Sequence, residues 1–186
     1  MQYQAGDPAP PFEMQTIDGS TISIESLRGR PVFLTFFKWA SCPFCIFRIR
    51  EMKIEYDLLT QHGMHIIGVF HSRAEKLISY TEAKDVPFPI IPDPDMSLYD
   101  LYGVERSIVG VGGGLLRLGM VAKMISGGLF KIKPYDVTAT AMPANFLIDP
   151  DGIIRKAHYG NDIGDHLPFE IVQAFADQYA DDANPE

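Results

Sequence analysis

The only two cysteines of the chain, Cys42 and Cys45, stand three positions apart in Trp39-Ala40-Ser41-Cys42-Pro43-Phe44-Cys45, where an apolar run gives way to a helical pattern. Residues at i and i+3 share one side of a helical turn, so the two sulfurs come within disulfide reach without backbone movement. A CxxC pair in that setting predicts a thiol–disulfide redox centre. Pro43 suits the first helical position, where its missing N–H is no loss. Cys42 then lies at the helix N-terminus, where unpaired N–H groups and the positive end of the dipole favour a thiolate. The spacing therefore predicts Cys42 as the attacking thiol and Cys45 as the resolving one.

From Cys45 an apolar stripe runs through Ile49, Met52, Tyr56 and Leu59, predicting one amphipathic helix that ends near His62-Gly63. Cys45 falls on its buried face, and Cys42 is expected at an exposed mouth. Arg48, Arg50, Glu51, Lys53 and Asp57 fall largely on the other faces. A zinc site needs about four ligands, and the five histidines supply no second metal-like pair beside the two cysteines. No metal or other cofactor is expected. Lys38 is a pKa-tuning candidate: near Cys42 it favours the thiolate, whereas pointing to solvent it does nothing. Trp39 either offers a flat apolar platform to a substrate peptide or simply packs.

A length of 186 residues suits one domain over 1–186 with a substantial core. The net charge of −8 argues against non-specific nucleic-acid binding, since no dominant basic surface is available to neutralise phosphates. The N-terminus has no positive start followed by an apolar run, so the expected location is cytoplasmic. A lone CxxC also suits a reducing compartment in which the pair cycles.

Around Asp18-Gly19, residues 12–17 and 21–24 predict a β-hairpin. Residues 32–37 form a nearly continuous apolar run, expected of a strand covered on both faces. A second short strand follows the CxxC helix at 65–70, and strand–helix–strand order implies a parallel pair. Residues 74–84 predict a polar helix, 89–91 a short strand and 96–102 a short helix stopped by Gly103. Residues 144–149 and 153–159 flank Pro150-Asp151-Gly152 as a second hairpin. A terminal helix begins near Pro168, and the acidic tail 181–186 is expected to fray. The fold class is α/β: a thioredoxin-like central mixed sheet flanked by helices.

Three segments carry a family resemblance: Gly6-Asp7-Pro8-Ala9-Pro10-Pro11-Phe12, Leu27-Arg28-Gly29-Arg30-Pro31-Val32 and Phe146-Leu147-Ile148-Asp149-Pro150-Asp151-Gly152. Together they resemble the alkyl hydroperoxide reductase and thiol-specific antioxidant superfamily. Peroxiredoxins of that superfamily place a Pro, then a Thr or Ser, before a peroxide-reacting Cys, with an Arg from a later strand. Counted back from Cys45, the Pro position holds Lys38 and the Thr position holds Cys42, while Pro143 stands where the Arg would be. The chain thus resembles the peroxiredoxin-like subgroup with a thioredoxin-style CxxC. The resemblance also implies a cis Met142-Pro143 bond, with Met142 and Pro143 presenting backbone to substrate; an ordinary trans proline at a strand start is the alternative. The Pro-Phe interior of the CxxC is similar to that of glutaredoxins, so a glutathione-type or thioredoxin reductant is implied.

Residues 107–133 fit no thioredoxin element and read as an insertion. They hold seven glycines and no acidic residue, with Arg117, Lys123, Lys131 and Lys133. Leu115, Leu118, Val121 and Ile125 predict a short amphipathic helix, too interrupted to span a bilayer. A core-covering excursion, a lid beside the CxxC and a membrane-surface or partner-docking helix compete there. Gly110–Gly114 lacks the spacing of a phosphate loop, so no nucleotide or flavin is implied. The leading function is thiol–disulfide exchange. A thiol peroxidase using Cys45 is the alternative, and a non-enzymatic module docking through the insertion is the third reading.

Overall fold

The computed structural model of the protein describes residues 1–79, 85–106, 122, 126 and 141–180. Its elements run β1 (Glu13–Gln15), β2 (Thr21–Ser23), β3 (Val32–Phe36), α1 (Pro43–Ile54), α2 (Tyr56–Thr60), β4 (His65–Phe70), α3 (Ala74–Ser79), β5 (Ile90–Pro92), α4 (Ser97–Leu101), β6 (Ala144–Ile148), β7 (Ile154–Tyr159) and α5 (Phe169–Asp177). A five-stranded sheet has the order β5-β4-β3-β6-β7, and β1-β2 form a separate antiparallel hairpin. β3 pairs parallel with β4 and antiparallel with β6. The expected α/β fold with a central mixed sheet is the one observed.

Alternation along the strands divides the core into two layers. On one face Phe33 and Phe37 of the β3 run join Ile66, Phe70 and Leu147, and are covered by Cys45, Ile49 and Met52 of α1, Leu59 of α2, and Val172 and Phe175 of α5. On the other face Val32, Leu34 and Phe36 join Ile67, Val69, Phe146 and Ile148, covered by Phe12, Leu98, Tyr99 and Tyr102. β3 is buried throughout because both faces are covered.

The N-terminal arm covers the β7 side of the sheet. Gly6 N–H donates to Ile154 O at 2.8 Å, Ile154 N–H to Asp7 O at 2.9 Å and Ala9 N–H to Gly152 O at 2.9 Å. These bonds use backbone groups that an open edge would leave for aggregation. The Asp149–Gly152 turn between β6 and β7 closes with Gly152 N–H on Asp149 O at 2.9 Å, with Gly152 at φ +77°.

Several expectations are corrected. The CxxC helix is broken at Glu55 (φ −87°, ψ 0°), giving α1 and α2 instead of one rod. Arg48 is buried, 7% exposed, because its guanidinium lies against the Phe169 ring and donates to Leu167 O instead of facing water. The Met142–Pro143 bond is trans, the default for most X–Pro bonds: among the described residues no peptide is cis. Positions 80–84 of the expected 74–84 helix lie outside the described residues. So do the tail 181–186 and all of 107–133 except Ala122 and Ser126. Among the described residues no helix is long and apolar enough to cross a membrane.

Candidate active site

The loop after β3 is held by backbone and side-chain bonds before the first cysteine is reached. Phe37 N–H extends the β3–β4 pairing to Val69 O at 2.8 Å, and His71 N–H donates to Lys38 O at 2.9 Å. Ala40 N–H donates to the buried Ser72 hydroxyl at 3.0 Å. Cys42 N–H then turns back to Trp39 O at 3.0 Å, and Ile46 N–H donates to Cys42 O at 3.0 Å as the first helical bond. Cys42 is therefore the N-cap of α1, in extended conformation (φ −68°, ψ 120°), with Pro43 at the first helical position as its fixed φ favours.

Both sulfurs are free thiols, and both residues are only 1% exposed. The expected exposed mouth at Cys42 is not observed, because Trp39, Ala40 and Ser41 fold inward with it and are themselves 6–8% exposed. Trp39 packs in the core layer beneath α1. Cys45 Sγ accepts the Lys38 backbone N–H at 3.3 Å.

The two thiols are driven apart in acidity. Burial pushes Cys42 up, but the Cys45 thiol, the Cys45 amide, the Lys38 ammonium and the Phe44 amide together outweigh it and leave Cys42 below the ordinary thiol range. Burial, the Cys42 side chain and its charge push Cys45 well above that range, against the smaller pull of Lys38. A proton shared between two buried sulfurs thus resides on Cys45.

Lys38 points inward, 1% exposed, and burial lowers its own pKa while the two cysteines raise it. Its Nζ has no hydrogen-bond partner among the described residues and lies 5.2 Å from the centre of the Trp39 ring. The sequence placed Lys38 beside the site but gave no sign of this burial. Met142 and Pro143 are buried just before β6, whose first residue, Ala144, pairs with Phe36 at the end of β3. Met142 N–H is taken by Glu105 O at 3.1 Å and Pro143 O accepts Gly160 N–H at 2.8 Å, so the trans bond is tied into neighbouring backbone.

Three further side chains shape the site: Ser72 and Tyr99, which no sequence signal singled out, and Arg48, expected on a solvent face of the helix. Ser72 supports Ala40. Tyr99, fully buried, donates its hydroxyl to Phe37 O at 2.5 Å and also lies 3.1 Å from Val69 O. Arg48 donates to Leu167 O at 2.5 Å and stacks 3.6 Å from the Phe169 ring centre, tying the CxxC helix to α5. Among the described residues no three His, Cys, Asp or Glu side chains gather as a metal site.

The sequence matches the AhpC/TSA family over residues 5–157. It is 28% identical over 147 residues to the putative peroxiredoxin Rv2521 of Mycobacterium tuberculosis, a span of 77% of this chain and 92% of that one. Identity to the thiol-disulfide oxidoreductase ResA of Halalkalibacterium halodurans is 26% over 140 residues, covering 70% of this chain and 78% of that one. The fold is similar to the crystal structure of peroxidoxin BcpB from Mycobacterium tuberculosis, with a TM-score of 0.64 and 16% identity over 98% of this chain and 97% of that one. With the family matched over most of its length around a CxxC dithiol, the chain belongs to the AhpC/TSA family and is an enzyme of the thiol oxidoreductase or thiol peroxidase class.

Proposed function

We propose that the protein is a thiol–disulfide oxidoreductase in which Cys42 attacks and Cys45 resolves. The observation that carries this reading is the placement of the two free thiols: Cys42 caps the N-terminus of α1, and Cys45 lies one turn on with its sulfur held by the Lys38 N–H at 3.3 Å. That placement accords with an acidity lowered at Cys42 and raised at Cys45. The Cys42 thiolate attacks one sulfur of a substrate disulfide, forming a mixed disulfide and releasing the first thiol. Cys45 then attacks the Cys42 sulfur, closes the intramolecular disulfide and releases the second thiol. A thioredoxin or glutathione-type thiol resets the pair. Because both sulfurs are buried, the first step requires access to Cys42 as well as its thiolate form.

The peroxidase alternative assigns peroxide attack to Cys45, and the relatives named peroxiredoxins support that class of chemistry. The raised pKa of Cys45, which keeps it a thiol, favours exchange over it. Substrate disulfide incubated with Cys45→Ser should stop at one covalent adduct per chain on Cys42, with turnover by the native protein only. Saturable peroxide consumption by Cys42→Ser, abolished by Cys45→Ser, would replace exchange with the peroxidase reading.

A further inference from the structure

The end of β3 carries a charge problem that the exchange reaction solves. Lys38 Nζ is buried with no hydrogen-bond partner among the described residues, and the Lys38 backbone N–H rests on the Cys45 sulfur. An isolated buried ammonium is strongly disfavoured and sheds its proton unless an opposite charge compensates it. Among the described residues, the groups that favour a charged Lys38 are Cys45 and Cys42, and no carboxylate joins them. His71, whose N–H holds the Lys38 carbonyl, is disposed to neutrality by burial. The hydroxyl of Tyr99, bonded to the neighbouring Phe37 carbonyl, is neutral as well, since burial and the charge of Asp93 push it well up. The charge on Lys38 therefore depends on a negative sulfur.

We propose that Lys38 is the proton store of the dithiol reaction, its amine protonated while Cys42 is a thiolate and neutral once Cys42 and Cys45 are joined. This inference rests on the exchange reading above. The reduced site holds a Cys42 thiolate, a Cys45 thiol and a Lys38 ammonium. Attack by Cys42 forms one S–S bond and breaks the substrate's, and the negative charge leaves on the first product thiolate. Lys38, now without a counter-charge, gives up its proton, which that product takes. Cys45 then loses its proton, forms the bond to Cys42 and expels the second product, which takes the proton from Cys45. The dithiol loses two electrons, the substrate disulfide gains two, and the two protons on the product thiols come from Lys38 and Cys45.

The balance has a measurable signature. Where Cys42 is ionised, the reduced site holds two exchangeable protons and the oxidised site none, matching the two protons that a reduced dithiothreitol molecule carries. The equilibrium constant of the protein against dithiothreitol should then be independent of pH from the Cys42 pKa, located by alkylation, up to the pKa of the dithiothreitol thiols. A lysine that stays charged throughout would supply only one proton, and the constant would change tenfold per pH unit in that window. Lys38→Arg keeps the charge but cannot be neutralised, so it should retain an acidic Cys42 and show the tenfold dependence. Quenched alkylation and mass spectrometry read the dithiol and disulfide fractions directly. A tenfold slope in the native protein overturns the proton-store role and leaves exchange standing, because the adduct on Cys42 of Cys45→Ser is scored separately. Absence of any Cys42–Cys45 disulfide would overturn both.

Discussion

The hydroxyl of Tyr99 donates to the carbonyl of Phe37 across 2.5 Å, linking a helix residue to the last position before the active-site loop, 62 residues earlier in the chain. Phe37 is followed by Lys38, whose own carbonyl is held by His71 and whose N–H meets the Cys45 sulfur. α4 therefore fixes the point from which the dithiol loop departs. Asp93 sets α4 in turn, accepting the N–H groups of Ser97 at 3.0 Å and Leu98 at 2.8 Å.

Tyr99→Phe keeps the ring and removes only this donor. Val69 O still accepts the Phe37 N–H, so the loss falls on the buried Phe37 carbonyl. Leaving such a group unsatisfied costs about 1–3 kcal/mol. Urea unfolding should show a lower midpoint at unchanged slope. An unchanged midpoint would mean that the hydroxyl does not anchor the loop.

Much of this arrangement was legible in the sequence. The run 32–37 announced a strand covered on both sides, Asp18-Gly19 and Pro150-Asp151-Gly152 announced their turns, and Cys42-Pro43 announced the helix start. Each of those signals is local, set by side-chain period or by backbone freedom. What was not legible depends on distant segments. Tyr99 meets Phe37, and Ser72 meets Ala40, only after the sheet is assembled. Arg48 sits beside the apolar stripe of α1, and its burial requires Leu167 and Phe169 to arrive from the far end of the chain. The burial of Cys42 likewise follows from how residues 39–41 pack, which no spacing rule reports.

Arg48 separates charge from packing. Burial pushes its guanidinium down to about 10, against the pull of Glu51 at 3.6 Å, so at neutral pH it is charged in a poorly solvated place. Among the described residues its Nε has no hydrogen-bond partner. Arg48→Ala loses the contact with the Phe169 ring and the bond to Leu167 O, at a cost of about 2 kcal/mol. Arg48→Met keeps much of the packed length and removes the desolvated charge, and should match the native stability to within about 1 kcal/mol. Thermal unfolding of the two variants checks this. Equal losses in both would assign the stabilisation to the guanidinium itself.

The turn after β6 gives a second stability test away from the cysteines. Gly152 adopts φ +77°, and a Cβ there would come 2.8 Å from the Arg28 guanidinium carbon. Arg28 is half exposed and can move, so the steric part is small. The left-handed backbone is the larger cost, roughly 1–2 kcal/mol for alanine. Gly152→Asn should lose less than Gly152→Ala, because asparagine tolerates this conformation. Equal melting temperatures for the two variants would show that φ is not the determinant.

Alkylation of Cys42 across pH tests the origin of its acidity. Burial alone would raise its pKa, and the Cys45 thiol is the largest influence acting against burial. In the native dithiol, the alkylation rate should therefore rise through a midpoint below the ordinary thiol value. Cys45→Ala removes the donor and should move that midpoint upward, whereas Cys45→Ser, which keeps a hydroxyl donor, should move it less. The linked effect on folding has a defined sign. Cys42, with its folded pKa depressed, contributes stability that is present above the unfolded thiol pKa and is lost as pH falls through the folded value. Cys45, with its folded pKa raised, contributes stability that is present below the unfolded pKa and is lost as pH rises through the folded value. Alkaline unfolding of the dithiol should accordingly be eased by Cys45 and opposed by Cys42, so Cys45→Ala should weaken the alkaline loss of stability and Cys42→Ala should deepen it. The reverse order in denaturant titrations above the ordinary thiol pKa would contradict the assignment of the shared proton to Cys45.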